Sequence, residues 1–551
     1  MDKPWQKSYQ PGVPIKIDEK QFSSLPDFLE QTFQKYATKP AFHNLGKTIS
    51  YAEVDRLSNQ FACFLQNDLK LSRGDRVALM MPNILQYPIA LFGVLRAGLI
   101  VVNCNPLYTH RELEHQLKDS GAKAIVIVAN FAKVLEASLP KTEIKHVIVT
   151  ELGDLLGFPK KYIVNAVIKY VKKMVPDYHI PRIISFNSAL KSGQSTSLSR
   201  PMLKIDDIAF LQYTGGTTGI SKGAILTHGN IIANMLQAKA WIQFLIRDGE
   251  EIIITPLPLY HIFSLTANLL IFNSVGALNI LITNPRDIPG FVKELSKWKF
   301  SAITAVNTLF NSLIHNEDFK KLDFSHLKVA LGGGMAVQRS VAEKWKEITK
   351  VPLIEAYGLT ETSPAACINP MNLKEYNGLI GLPIPSTDMV IKDDEGNNVD
   401  LGLTGEICIK GPQVMKGYWN RPDETEKVMT ADGYFRTGDI GYMNENGYFK
   451  IVDRKKDMIL VSGFNVYPNE IEDVAVMNPK VLEAAAIAVP DEKSGEVPKL
   501  FIVKKDPSLT EKEIIDFCRA NLTGYKVPKS VEFRTELPKS NVGKILRKEL
   551  R

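Results

Sequence analysis

Apolar residues recur every three or four positions over residues 26–36, 51–68, 85–97 and 111–120, a period that predicts amphipathic helices. Between them lie short β-rich runs such as RVALMM, ending at Met81, and AIVIVA, 124–129, which predict buried strands. Such alternation predicts parallel sheets covered by helices. It continues with strands near 251–255, 277–282, 302–306 and 328–331. After about residue 372 the texture shortens to strand-and-turn units, DDEGNNV, GEICIKG and ENGYFKIV, predicting a small β-rich subdomain. From 457 a mixed pattern resumes, with strands at 484–489 and 500–504 and a helix at 511–521. The pattern therefore predicts an α/β chain whose last 95 or so residues form a separate small domain.

Two stretches stand apart. Residues 84–102 are almost long enough to span a bilayer, but Pro88, Arg96 and two glycines favour burial inside the α/β domain. Between Pro159 and Pro176 runs KKYIVNAVIKYVKKMV, where Ile163, Val167, Tyr170, Val171 and Met174 share one helical face and Lys160, Lys161, Lys169, Lys172 and Lys173 lie largely elsewhere. Such a helix either rests its apolar face on the core or lies on an anionic bilayer.

Composition narrows the class. A chain of 551 residues exceeds one compact core, and 45% hydrophobic with 23% charged residues is ordinary for a globular protein. The formal charge of +7 suits anionic substrates or an acidic membrane surface, and no dense basic run with interleaved aromatics marks a nucleic-acid binder. Five dispersed cysteines, with no CxxC, argue against a disulfide framework or zinc site and favour a reducing compartment. The polar, proline-punctuated N-terminus matches no signal or transit peptide, so a cytoplasmic location is expected.

The candidate chemistry begins at residues 213–223, YTGGTTGISKG. A strand is predicted at 208–213 and a helix at 229–244 behind a cap at Thr227, giving the order strand, glycine loop, helix. Backbone N–H groups and hydroxyls of such a loop can surround phosphate oxygens, with Lys222 adding charge. It is not GxxxxGK[ST], because Ile220 and Ser221 separate Gly219 from Lys222. Further on come GGGM (332–335), EAYGLTET (355–362), DGYFRTGDIG (432–441), DRKKDMILVSGFNVYPN (453–469) and the tail LPKSNVGKILRKELR.

In order and spacing these motifs resemble those of the acyl-adenylate-forming, or AMP-binding, superfamily. The likeness is closest to bacterial long-chain fatty-acid–CoA ligases, through VALMMPN, NPLYTHRELEHQLKDSGA, PLYHIF, LITNPRDIPG and LTGYKVPK. The resemblance implies a phosphate loop of Thr214, Gly215, Gly216, Thr217, Thr218, Gly219 and Lys222. It implies nucleotide contacts from Gly333, Gly334, Glu355, Ala356, Tyr357, Gly358, Thr360, Asp439 and Arg454, with Tyr357 stacking on adenine and Asp439 on ribose. Thr360, Glu361 and Lys544 are the implied catalytic residues, Thr218 and Glu361 the implied metal ligands. His261, Gly332, Gly463 and Phe464 are implied on the acyl and pantetheine side. Tyr434 and Arg436 stand where the family usually has Trp and His, leaving the role of Asp439 intact.

The implied architecture is a large N-terminal domain (1–453) with two parallel-type sheets plus the β-rich subdomain, a hinge at 454–456 about Lys456, and a small mobile α+β lid (457–551). The implied reaction joins a long-chain fatty acid to CoA through an acyl-adenylate, with ATP and CoA as co-substrates and Mg²⁺ as cofactor. An acyl-AMP ligase feeding a carrier protein and a nucleotide-gated lipid-uptake protein without turnover are the alternatives. Peripheral contact with the inner membrane and a homodimer are further expectations; nucleic acid is not among the expected partners.

Overall fold

The computed structural model of the chain describes residues 3–214, 221–462, 464–491, 494–540 and 543–551. Two large sheets form from the apolar runs. In the first, Arg76–Met80, Ile100–Asn103, Ala124–Val128, His146–Thr150, Ile183–Ser185 and Ile208–Thr214 run parallel. In the second, Ile252–Thr255, Leu278–Leu281, Ala302–Ala305, Val329–Gly332 and Leu353–Gly358 do so. Several of these strands are buried along their whole length, so they read as continuous apolar runs and not as alternation. The inner faces share one core, where Val77, Leu79 and Val101 of the first sheet join Ile253, Leu281 and Ala302 of the second around Phe61, Phe92 and Trp241.

The helices start where local chemistry says they should. Ser50 and Thr109 accept from the backbones of Glu53 and Glu112, whose carboxylates bond back to the cap, opening Tyr51–Asn67 and His110–Ser120. The run 84–102 becomes the fully buried helix Gln86–Arg96 and the strand Ile100–Asn103. Arg96 is accommodated there because its Nη1 donates to the Asp55 carboxylate at 2.7 Å.

Antiparallel strands complete the edges. Pro40–Asn44 and Lys47–Ser50 form a hairpin on the second sheet, and Ala365–Ile368 with Leu382–Pro383 closes its other side. The glycine stretch corrects the expected order: Lys222–Thr227 is a second strand, antiparallel to Ile208–Thr214, and helix His228–Ile242 begins only after it. The strands on either side of residues 215–220 are therefore antiparallel neighbours, and the helix opens only at His228, after the second of them. In that strand KGAILT, both its own sheet neighbours and the core bury most positions, so no two-residue period signals it.

The β-rich subdomain is a four-stranded antiparallel sheet of Asp388–Lys392, Gly405–Lys410, Phe435–Met443 and Phe449–Arg454. A further sheet begins at Ile459–Val461. Strands Val481–Asp491 and Gly495–Lys504 with helices Pro468–Met477 and Glu511–Asn521 enclose a core of Ile459, Ile471, Leu500, Ile502, Ile514 and Cys518, in which no described residue before 459 takes part. The five cysteines are buried and free. The lysine-rich stretch folds as helix Lys160–Ala166 and a wider-turned continuation, Val167–Val171, with its apolar stripe in solvent and not on the core. No helix among the described residues is long and apolar enough to cross a membrane.

Candidate active site

The carboxyl ends of strands Ile208–Thr214, Val329–Gly332 and Leu353–Gly358 open onto one cavity of about 1440 Å³, the position where open α/β sheets take ligands. Thr214, Lys222, Gly333, Gly334, Glu355, Ala356, Tyr357, Gly358, Thr360 and Glu361 line it from the sheets, and the antiparallel subdomain adds Asp439 and Arg454. Gly215, Gly216, Thr217, Thr218 and Gly219 lie outside the described residues, as does Gly463. Gly332 is the buried last residue of its strand and does not line the cavity; a Cβ there would stand 2.6 Å from Val337 Cγ2. Gly333 does line it: a Cβ would stand 3.1 Å from the Phe263 ring and 3.2 Å from the Ala356 carbonyl oxygen, so glycine is what lets these walls meet.

On the polar side several charged groups already have partners. Asp439 and Arg454 face each other across adjacent strands, with Arg454 Nε 3.0 Å from Asp439 Oδ1. The Tyr357 hydroxyl donates to Asp439 Oδ2 at 2.6 Å, and burial together with that carboxylate raises the tyrosine's pKa. Glu361 is buried in the short turn Thr360–Thr362 and accepts from the Tyr418 hydroxyl at 2.7 Å. Lys222 pairs with Glu424 at 2.5 Å and lies over the Tyr418 ring. Burial pushes the Glu355 carboxyl up to about 8 despite a bond from the Val337 N–H, which leaves it neutral at pH 7.

Lys544 reaches this cavity from the C-terminal unit. Its turn is closed by Ser540, whose N–H donates to the Lys544 carbonyl at 2.7 Å and whose hydroxyl accepts from the Lys544 N–H at 3.1 Å. Burial first, then the Arg454 guanidinium, pushes the Lys544 ammonium down to about 8, against the opposing pull of Asp439. The turn docks through Gly543, whose carbonyl accepts from Thr308 of helix Asn307–Ile314 at 3.4 Å. At φ +82°, with a Cβ position only 2.7 Å from Thr308 Oγ1, this residue has to be glycine. Gly543→Val should therefore lower acyl-adenylate formation roughly tenfold or more while leaving thioester formation from supplied adenylate near wild type. Equal loss in both steps would show that the docked turn serves only stability.

Arg547 then ties the tail down, pairing with Glu472 at 2.7 Å and lying 3.6 Å from both Asp453 and Asp457. Lys456, between those two aspartates, also lines the cavity. Phe464 does not: it is exposed and stacks on Tyr525 at 4.9 Å.

One part of the cavity lining forms an apolar arm. Ala238 and Ile242 of helix His228–Ile242 face Ile262, Phe263, Ala267, Ile271 and Phe272, whose segment changes from α-helix to the wider turn Leu265–Leu270. The stretch 262–272 is thus both a buried helix and a cavity wall. His261 stands at its start, Nδ1 accepting from the Phe263 N–H, and burial with the nearby Lys544 pushes its imidazole down to about 4, neutral at pH 7. The loop before it is held by Gln212, which donates to the Tyr260 carbonyl at 2.7 Å.

Sequence reading did not single out Tyr418, Glu424, Thr308 or Gly543. Gly543 and Arg547 lie within the tail motif PKxxxGKIxR, where only the lysine drew attention. Tyr418 and Glu424 lie in GYWNRPDET, a stretch without periodic signal.

Comparison with known proteins agrees with this geometry. The family model for the AMP-binding enzyme matches residues 29–419 and that for the AMP-binding enzyme C-terminal domain matches 470–544. A long-chain-fatty-acid–CoA ligase of Yersinia pestis is 58% identical over all of this chain and 98% of its own length. One of Bacillus subtilis (strain 168) is 38% identical over all of this chain and 97% of its own. The crystal structure of an anthranilate CoA ligase in complex with anthranoyl-AMP superposes with a TM-score of 0.85 at 25% identity, covering 97% of this chain and 98% of the other. With matching models over both the sheet-bearing body and the unit that carries Lys544, the chain belongs to the AMP-binding enzyme family.

Proposed function

We propose that this chain converts long-chain fatty acids to their CoA thioesters in two half-reactions at one site. A carboxylate oxygen of the acid attacks the α-phosphorus of ATP, the bond to pyrophosphate breaks, and acyl-adenylate forms. The CoA thiol then loses its proton and attacks the acyl carbonyl carbon, and AMP leaves. The observation that carries this reading is the presence of Lys544, from the C-terminal unit, in the cavity that Thr214, Thr360 and Glu361 also line. Anion meeting anion needs a cation between them, and Lys544 supplies one where the charge develops.

In this reading Thr214, Lys222 and the glycine loop hold the phosphates, Tyr357 stacks on adenine, Asp439 takes the ribose hydroxyls and Arg454 makes a second nucleotide contact. Lys222 exchanges Glu424 for phosphate. His261, neutral beside Lys544, and the apolar arm receive the acyl group. The donor set suits magnesium: Glu361 offers carboxylate oxygen to the cavity, and no described group of three acidic, histidine or cysteine residues could hold an ion alone, as fits an ion bound chiefly by substrate phosphates. With ATP bound, Glu361 and Thr218 would hold Mg²⁺, which offsets phosphate charge.

The division at 1–453, 454–456 and 457–551 belongs to the same proposal. That Phe449–Arg454 is the last strand of the antiparallel subdomain and Ile459–Val461 the first of the C-terminal core supports a hinge at Lys456 between them. Rotation there withdraws Lys544 and brings Gly463 and Phe464 toward the CoA thiol's path. The long-chain choice is supported by the name of the 58% identical relative and by the apolar arm. Contact with the inner membrane, where such acids partition, is part of the reading.

A panel of acids from acetate to oleate, with ATP, CoA and magnesium and with AMP release followed, tests it. Turnover should rise with chain length. A preference for short or aromatic acids would overturn the substrate class, and acyl transfer to a carrier protein in place of CoA would overturn the second half-reaction.

A further inference from the structure

Seven of the twenty large apolar side chains exposed among the described residues fall between Phe158 and Met174. Phe158 is 89% exposed, Val171 75% and Tyr170 69%, although most large apolar side chains of the chain are buried in its cores. Ile163, Val167, Tyr170 and Val171 recur at offsets of 4, 7 and 8 along helix Lys160–Ala166 and its continuation Val167–Val171, and exposed Met174 follows just beyond its end. The segment is nonetheless anchored. Val164 packs against the main core, Asn165 accepts from the Gly153 N–H at 2.7 Å and donates to Glu151 at 2.8 Å, and Asn130 donates to the Met174 carbonyl at 3.1 Å. One flank of the helix is thus spent on the body and the apolar stripe is presented outward by design of the packing.

We propose that this stripe is the surface by which the enzyme docks on an anionic phospholipid bilayer. The charge pattern selects that occupant. Residues 158–176 contain five lysines and no acidic residue. Lys169, Lys172 and Lys173 are exposed beside the stripe, where they meet phospholipid headgroups as the apolar face enters the boundary below them. Tyr162 and Tyr170 are of an aromatic type that settles at a membrane–water interface, and Phe158 suits the apolar face below it. A self-associating or protein-binding face would gain nothing from unbalanced positive charge on its rim, since two copies would repel. The segment is too short and too basic to span, so it lies in the plane of the headgroups. The proposal names the surface for the membrane contact in the preceding reading and rests on that reading only for its purpose, the supply of a lipid-soluble acid.

Flotation of the full chain with vesicles tests it. The wild-type chain should float with phosphatidylglycerol-containing vesicles, much less with phosphatidylcholine alone, and should be released by high salt. Tyr170→Ser with Val171→Ser, and separately Lys169→Glu with Lys172→Glu and Lys173→Glu, should each lower the bound fraction roughly tenfold or more. Both variants should release AMP from a water-soluble medium-chain acid at the wild-type rate when no vesicles are present. Wild-type flotation by either variant, equal binding to both vesicle types, or a wild-type dimer that the serine variant makes monomeric would overturn the proposal. A chain that floats but releases no AMP would refute the catalytic reading alone, and the reverse result would refute the surface alone.

Discussion

Replacing Lys544 by Ala should lower acyl-adenylate formation by about 10²–10³-fold, the range for deleting one group that stabilises transition-state charge, while thioester formation from supplied acyl-adenylate and CoA proceeds near the wild-type rate. The asymmetry follows from geometry. Lys544 lines the cavity in the arrangement that docks its turn through Gly543 on Thr308, and in the proposed mechanism the second half-reaction uses neither the docked turn nor a cation at that place. Pyrophosphate release measured with ATP and fatty acid, against acyl-CoA formation from purified adenylate, separates the two. Equal loss in both, or loss in neither, would refute the assigned role.

The same residue sets a pH dependence. In the proposed role the ammonium is the active form, and its pKa lies below the ordinary lysine value, at about 8, through burial and Arg454. The first half-reaction's kcat/KM should hold below that pH and fall as pH rises through it. His261 adds no descending limb there, because it stays neutral from about 4 upward. Lys544→Arg keeps its charge at high pH, so whatever activity it retains should lose that limb.

Asp439→Ala should be the second severe change. Its carboxylate accepts from Tyr357 and pairs with Arg454 in a buried position, so truncation leaves two polar groups without their partner as well as removing the proposed ribose contact. A stability loss of about 2–3 kcal/mol is expected, below the range for a fully buried pair because a third of the Arg454 side chain remains in water. The kcat/KM for ATP should fall roughly 10²-fold from lost charged hydrogen bonds. Chemical denaturation and ATP titration read the two effects separately. Asp439→Asn should recover most of the stability but not the ATP affinity, and recovery of both would make the carboxylate a structural residue only.

The corrections to the sequence reading share one origin. The strand Lys222–Thr227 was hidden because its burial removes the alternation by which a strand is recognised, and what buries it is a core assembled from residues far away. The stripe at 163–174 was ambiguous for the complementary reason: an amphipathic helix states that it has an apolar face, not what covers it. Glu424 and Tyr418 were invisible because the partners that give them meaning, Lys222 and Glu361, lie 202 and 57 residues away.

From its residues alone the chain declares most of its long helices and several apolar strands, the α/β class, the separate C-terminal unit and the motifs of its family, because periodicity, caps and turn chemistry act over a few neighbouring positions. Tertiary structure alone decides that Ile208–Thr214 and Lys222–Thr227 pair as antiparallel neighbours, that Gly333 lines the cavity and Gly332 does not, that Asp439 is held between Tyr357 and Arg454, and that the lysine-flanked stripe faces outward. Each of those outcomes depends on which distant surfaces meet, and the free energy of that meeting is shared across the fold and is not carried by any single stretch of residues.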